Sequence, residues 1–231
     1  MRAYVLCGGF GTRLQSVTQG TQKALVTVHG APFLQVVLCQ LAQAGITDVV
    51  LCAHYRADQM AAQLYALAQA SGLALRLVVE AEPLGTGGAL LNALIEQPAQ
   101  GRYLVLNADT YLDAPAYRLA MAAAGNAVVG VKVEDRSRYG SLSVDHANGL
   151  RSIDEKGVDG PGLINAGVYA FDSVSFEGRA VQVCSLERDL LPDLLARGPV
   201  EVCEYLGRFI DIGTPESFAR YSTEFHMDTA Q

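Results

Sequence analysis

A chain of 231 residues, half of them hydrophobic and 18% charged, holds enough apolar side chains for a sizeable core and is not an intrinsically disordered polypeptide. Its formal net charge of −7, with no basic tract, argues against a nucleic-acid groove, so an anionic ligand would be held by a few local cations rather than by a global field. No run of about 18 apolar residues suggests a membrane span, no leader-like stretch opens the chain, and none of the five cysteines forms a C-x-x-C pair; a cytoplasmic protein with reduced structural thiols is expected.

In chain order, Ala3 to Cys7 is a short apolar strand that ends in glycines. Pro32 to Ala44 has a helical pattern, with Leu34, Val37, Leu38 and Leu41 on one face, Pro32 suited to the first turn and Gly45 to the stop. Asp48 to Ala53 predicts a buried strand, Arg56 to Ala70 a helix, Leu73 to Val79 a strand, Gly87 to Ile95 a helix and Tyr103 to Leu106 a strand. Strands separated by helices of this length require crossover connections, hence a mainly parallel sheet with helices on both faces. Beyond Asp109 the rhythm changes. Pro115 to Ala124 predicts a helix and Asn126 to Val133 a strand; residues 139 to 157 predict a hairpin turning at Asn148-Gly149. Leu163 to Phe171 predicts a strand, Leu186 to Arg197 a helix, Val200 to Tyr205 and Arg208 to Ile212 short strands, and Pro215 to Phe225 a closing helix. The expectation is one α/β domain, 1–231, with a Rossmann-like mixed, mainly parallel sheet. Its C-terminal half would form a lid or subdomain over the sheet edge.

Open α/β sheets bind ligands beyond the carboxyl ends of their strands. Four marked loops leave strands here: Gly8–Arg13, Glu80–Gly88, Asn107–Asp109 and the stretch around Asp211. The first is GGFGTR. It is no dinucleotide fingerprint, because Gly9-x-Gly11-x-x lands on Leu14, and no Gly-Lys-Ser/Thr makes it a Walker A loop. Its backbone N–H groups are still suited to phosphates, with Arg13 as a planar cation and Lys23 as a second one. In the second loop, EAEPLGTGGAL, Gly85, Gly87 and Gly88 permit close backbone approach, and a carboxylate such as Glu80 can accept from both N1 and N2 of a guanine edge. Asp109 ends a buried strand, and alternation in FIDIG turns Asp211 away from Ile210 and Ile212. Two aspartates at one sheet edge suit a hard cation such as magnesium. The histidines His29, His54, His146 and His226 show no zinc spacing.

Together these segments resemble the sugar-1-phosphate nucleotidyltransferases. The likeness runs through GGFGTRL, QKAL, EPLGTGGAL, NADT, DRSRYGSL, DEKG, LINAGVY and FIDIGTPESF, in order, over essentially the whole chain. It implies the nucleotide-diphospho-sugar transferase fold, with a nucleotide-binding half of about 1–110 and a sugar-binding half of about 111–231, and a magnesium-dependent reaction in which a sugar 1-phosphate attacks the α-phosphorus of a nucleoside triphosphate and pyrophosphate leaves. By resemblance, Arg13 and Lys23 are the catalytic cations and Asp109 and Asp211 the magnesium ligands. Leu6, Gly8, Gly9, Gly11, Thr12, Glu80, Gly85 and Thr86 would hold the nucleotide. Asn107, Tyr139, Gly140, Glu155, Lys156, Asn165 and Gly167 would hold the sugar phosphate. The nucleophile is already an anion, so no general base is required; the protein must align two anions and neutralise their charge.

Two positions depart from the pattern. Gln22 stands where proline usually precedes the lysine, which removes a backbone constraint from that loop, and Ala108 stands where glycine is commoner. The compact length and the EPLGTGG, DRSRYG and INAGVY segments most resemble D-glycero-α-D-manno-heptose 1-phosphate guanylyltransferases. That resemblance implies GTP as the nucleotide and a product used for bacterial surface polysaccharide. Mannose-1-phosphate guanylyltransferases, N-acetylmuramate-1-phosphate uridylyltransferases and glucose-1-phosphate thymidylyl- or cytidylyltransferases share most of the frame. Non-catalytic regulatory homologues usually lose the Arg, Lys or Asp positions, all of which stand here. A homo-oligomer is left open.

Overall fold

The computed structural model describes residues 1–154 and 156–224. The first half of the chain follows the strand–helix alternation. β1 (Arg2–Leu6) runs into a 3-10 turn at Thr12–Leu14 and the short α1 (Gln15–Thr18). A second 3-10 turn, Lys23–Leu25, leads to the two-residue strands β2 (Thr27–Val28) and β3 (Ala31–Pro32), then α2 (Phe33–Gln43). There follow β4 (Asp48–Ala53), α3 (Ala57–Ser71), β5 (Ala74–Val79), α4 (Gly85–Glu96) and β6 (Tyr103–Asn107). The strands β6, β1, β4 and β5 lie side by side, all parallel.

These strands read as unbroken apolar runs because both faces are covered. Ala3, Val5, Val49, Leu51, Leu104 and Leu106 pack towards α2, α3 and α5, whereas Tyr4, Val50, Cys52, Tyr103 and Val105 pack towards α4. The period of two is that of pleated strands.

The second half adds β7 (Thr110–Leu112), α5 (Ala114–Ala122), β8 (Ala127–Val133), β9 (Ser141–Val144), β10 (Leu150–Asp154) and β11 (Gly162–Phe171). It ends with a π-helical turn, Leu186–Leu190, then α6 (Leu191–Leu195), β12 (Glu201–Tyr205), β13 (Phe209–Asp211) and α7 (Pro215–Glu224). Here the pairing is mixed: β11 is antiparallel to β6, β8 and β9, and β12 is parallel to β8. The sheet is therefore parallel where the glycine loops leave it and mixed beyond β6.

Three local expectations change. The β9–β10 turn is not a two-residue Asn148-Gly149 turn; Asp145 Oδ1 accepts from the N–H groups of Ala147 and Gly149, each at 2.8 Å, and so closes a longer loop. The predicted helix from Leu186 begins as a π-turn, with Ser185 Oγ accepting from Arg188 N–H at its start. The helix expected to reach Phe225 runs to Glu224, and Phe225 lies outside the described residues. Among the described residues no helix is long and apolar enough to cross a membrane, and the five cysteines are free thiols.

Candidate active site

Two neighbouring cavities lie at the carboxyl ends of the parallel strands. A pocket of about 330 Å³ is lined by Leu6, Gly8, Gly9, Phe10, Lys23, Glu80 and Gly85, among others. A larger cleft of about 540 Å³ is lined by Arg13, Tyr139, Gly140, Lys156, Asn165, Gly167 and Asp211. Thr86, Asn107 and Asp109 line both. The sequence-predicted nucleotide residues thus gather in the small pocket and the sugar residues in the large one. Arg13, exposed, lines the larger cleft, and Gly11 and Thr12 line neither. Glu155 lies outside the described residues.

The small pocket is set by loop geometry. Gly8 sits so close to β4 and β5 that a Cβ there would lie 3.2 Å from Glu80 Oε1 and 3.4 Å from His54 Cβ. Glu80 is only 5% exposed. Its Oε2 accepts from Leu84 N–H at 2.9 Å, while Oε1 is buried with no partner among the described residues. Burial raises the Glu80 pKa above the ordinary carboxylate value, against the opposing pull of the Leu84 N–H and His54. A buried acceptor without a donor is costly and marks a place where a ligand donor fits.

The glycines of EPLGTGG serve a different neighbour from the one expected. A Cβ at Gly88 would lie 2.3 Å from the Gln182 carbonyl oxygen, and one at Gly85 2.6 Å from that of Cys184. The N–H groups of Gly87 and Gly88 donate to the Cys184 carbonyl at 3.0 and 3.3 Å. The close approach is made by residues 182–186 of the chain itself, which cap the start of α4 and bring Ser185 and Glu187 to the cleft wall. There Glu187 accepts from Thr86 Oγ1 and Tyr169 Oη, both at 3.0 Å, and Asn165 Nδ2 donates to Tyr169 Oη at 2.7 Å.

Gln22 supplies the constraint its missing proline would have given. It is 2% exposed. Its Nε2 donates to the Cys7 carbonyl and its Oε1 accepts from Ala24 N–H, both at 2.6 Å. Its own N–H donates to Gln59 Oε1 at 2.7 Å. The end of β1 is thereby tied to the turn that carries Lys23, and the backbone at Gln22, φ −59° and ψ 134°, is the one proline adopts.

Asp109 and Asp211, 102 residues apart in sequence, meet because β13 pairs with β7 and Ile212 N–H donates to the Asp109 carbonyl at 2.9 Å. Each carboxylate faces a cation: Lys23 Nζ contacts Asp109 Oδ2, and Arg138 Nη2 donates to Asp211 Oδ2 at 3.1 Å. A Cβ at Gly213 would lie 2.4 Å from Asp211 Oδ1 and 3.3 Å from Lys23 Nζ, so the Lys23 ammonium that contacts Asp109 also stands near Asp211. Burial works to raise the Asp109 pKa, but the Lys23 ammonium overrides it and holds the carboxyl below its ordinary value.

Asn165 and Gly167 sit where β11 shifts its register on β8 between Asn165 and Tyr169. The irregularity turns Asn165 into the cleft; its Oδ1 accepts from Gly167 N–H at 2.9 Å. Gly167 has φ +71°, and a Cβ there would lie 2.4 Å from Asn107 Nδ2, so no other residue fits without displacement. Sequence reasoning missed Arg138, Ser185 and Glu187, which line the cleft from segments with no glycine loop to mark them. The one signal was the placement of Arg138 within the DRSRYG segment.

A family model described as nucleotidyl transferase matches residues 2–227. The chain is 30% identical over 221 residues to a D-glycero-alpha-D-manno-heptose 1-phosphate guanylyltransferase of Campylobacter jejuni, covering 96% of this chain and 98% of that protein. It is 33% identical to the mannose-1-phosphate guanylyltransferase catalytic subunit beta of Drosophila melanogaster, covering 94% of this chain and 60% of the fly protein. The crystal structure of HddC from Yersinia pseudotuberculosis complexed with GMP-PN superposes with a TM-score of 0.85 at 34% identity, covering 97% of this chain and 99% of that one.

Proposed function

The chain belongs to the nucleotidyl transferase family, and on that premise we propose that it joins D-glycero-α-D-manno-heptose 1-phosphate to the α-phosphate of GTP, releasing pyrophosphate and GDP-heptose. The coarser activity, a sugar-1-phosphate nucleotidyltransferase of the guanylyltransferase type, follows from the family and from the relatives across nearly the full chain. The observation that carries the proposal is the common wall: a glycine-lined pocket and a polar cleft share Thr86, Asn107 and Asp109. Two substrates bound one in each cavity have their reacting phosphates at that wall.

The small pocket takes the nucleotide. Glu80 Oε1, buried and without a partner among the described residues, is the acceptor for the N1 and N2 donors of guanine. The N–H groups of Gly8 and Gly9 face the triphosphate, and Arg13 and Lys23 counter its charge. The larger cleft takes the sugar phosphate through Lys156, Tyr139, Gly140, Asn165 and Gly167. No bond to a proton has to be broken, so the rate gain comes from alignment and charge neutralisation, as in other phosphoryl transfers.

Asp109 and Asp211 fit a magnesium ion. Both acids line the larger cleft, and Asp109 also lines the nucleotide pocket, so an ion held by them would lie where the two cavities meet. Magnesium commonly takes one or two carboxylates and completes its shell with water and substrate phosphates. Bound there, it would supply further positive charge to the phosphates.

The test is pyrophosphate release over a matrix of four nucleoside triphosphates and several sugar 1-phosphates, with and without magnesium. GTP with the heptose 1-phosphate is expected to give the highest kcat/KM. Preference for mannose 1-phosphate would keep the chemistry and replace the sugar; preference for UTP or dTTP would remove the guanine assignment.

A further inference from the structure

Arg138 pairs with Asp211 but has no part in the substrate binding described so far. It lies just before β9 and lines the larger cleft with Lys156 and Asn165. Its Nη2 donates to Asp211 Oδ2 at 3.1 Å and to Ser217 Oγ at 3.5 Å. Both are long for a guanidinium, whose bonds to carboxylates usually measure about 2.7–2.9 Å. The Nε–H is buried and has no acceptor among the described residues. The guanidinium carbon stands 5.6 Å from the centre of the Tyr139 ring, and that ring is held edge-on against Phe209 at 5.6 Å.

A guanidinium offers five N–H donors in a rigid fork, and its strongest partners are oxyanions that engage two donors at once. At Arg138 one carboxylate oxygen engages one nitrogen, while a buried donor of the same group is unsatisfied. An orphaned buried charged donor on a cleft wall calls for an anion with more than one oxygen. The neighbouring cation points to the same ligand: Lys156 lines this cleft and acts electrostatically on Asp109 at the common wall.

Resting on the functional assignment above, we propose that Arg138 binds the phosphate of the sugar 1-phosphate, its Nε–H and Nη donors gripping two phosphate oxygens while the Tyr139 ring supports the guanidinium face. The Asp211 contact keeps the side chain extended along the cleft wall. Arg138 thus helps to neutralise the nucleophile in the cleft, while Arg13 and Lys23 serve the triphosphate.

The test uses Arg138→Gln and Arg138→Lys with GTP and whichever sugar 1-phosphate the wild type turns over. Arg138→Gln should raise KM for the sugar 1-phosphate at least tenfold and leave KM for GTP within twofold. Arg138→Lys, which keeps the charge but not the fork, should recover part of the loss. Unchanged KM for the sugar 1-phosphate, or equal rises for both substrates, would overturn the assignment and leave Arg138 as a support for Asp211. If Arg138→Gln fails to fold, Arg138→Lys decides alone, with a rise of at least threefold expected. Calorimetric titration with inorganic phosphate separates this idea from the functional one. A wild type inactive on every sugar 1-phosphate would remove the enzyme assignment. Tenfold weaker phosphate binding in Arg138→Gln would still sustain the anion site, and equal binding would sink it.

Discussion

The small pocket and the larger cleft share a wall but are assembled differently. The pocket comes mainly from loops that directly follow β1, β5 and β6, three parallel strands whose order and direction follow from short crossover units. The cleft draws on the ends of β6, β10 and β13, the segment before β9, the irregular part of β11 and the π-turn after it. A pocket built at strand ends depends on local backbone shape. A cleft built from distant segments depends on pairings made late in the chain, such as β13 on β7, and on single side chains such as Glu187 that bridge them.

Disrupting the common wall should damage both sides at once and have the largest effect. Asp109→Asn and Lys23→Ala are each expected to cost about 2–4 kcal/mol of transition-state stabilisation, comparable with removing one preorganised donor from an oxyanion site. Because the two side chains form one pair, the double variant should cost less than the sum. Pyrophosphate release with both substrates varied checks this; wild-type turnover in Asp109→Asn would remove Asp109 from the centre.

Glu80→Gln should act on the pocket alone. It is expected to weaken discrimination for GTP over ATP by about 1.5–3 kcal/mol, the range for hydrogen bonds to a charged group. The sugar KM should stay unchanged. The raised Glu80 pKa also gives a signature in pH. GTP binding needs the carboxylate, so affinity should rise as pH climbs through that pKa, above the usual value near 4.3. In the free protein the sign is opposite: a raised pKa means that the folded state holds its proton more tightly, so this contribution to stability is lost as pH rises through it. Both trends should flatten in Glu80→Gln; a GTP Kd whose pH profile is identical in the two proteins would exclude Glu80 as base reader.

Gly167→Ala should act mainly on the cleft. A left-handed φ of +71° and an Asn107 Nδ2 only 2.4 Å from the new Cβ predict a loss of about 1–3 kcal/mol in stability. The sugar KM should rise more than the GTP KM, because Gly167 lines the cleft only, whereas the displaced Asn107 belongs to the wall that both cavities share. Denaturant unfolding and steady-state kinetics check the two halves, and equal rises in both KM values would mean that the cavities are not separable.

The same contrast explains what could be read from the sequence. The strands β1, β4, β5 and β6 were legible because burial on both faces makes each a short apolar run, and their exits were marked by glycine and acid. Asp109 and Asp211 were legible as acids at strand ends, and their meeting was expected from the convergence of strand exits and from the resemblance; the β7–β13 pair that brings them together was not legible, because nothing local encodes it. Glu187 and Ser185 carry no local mark at all; they reach the site because Gly85, Gly87 and Gly88 leave room for residues 182–186 to pack against α4. Those glycines were visible as signals of close approach, while the identity of the approaching group was a long-range fact.

Gln22 tests how local the pocket is, and its replacement by proline should have the smallest effect. The backbone there already has proline's φ, −59°, and rigidity in the unfolded chain should return about 0.4–1 kcal/mol. Against this stand the Cys7 carbonyl and the Ala24 N–H, which lose their partner; each costs about 1 kcal/mol, the low end for an orphaned buried group, because Gln22 lines the pocket and water can take its place. The bond from Gln22 N–H to Gln59 is also lost, but Gln59 is only partly buried and water can replace the donor. The balance is a loss of about 1 kcal/mol, a fall in Tm of about 2–4 °C for a domain of this size, with kcat within about threefold of wild type. A fall of 10 °C or more, or a kcat reduced as far as in Lys23→Ala, would mean that the polar bonds rather than the backbone conformation hold Lys23 in place. The nucleotide pocket would then depend on the contact between the Gln22 side chain and β1 as strictly as the cleft depends on β13 and β7.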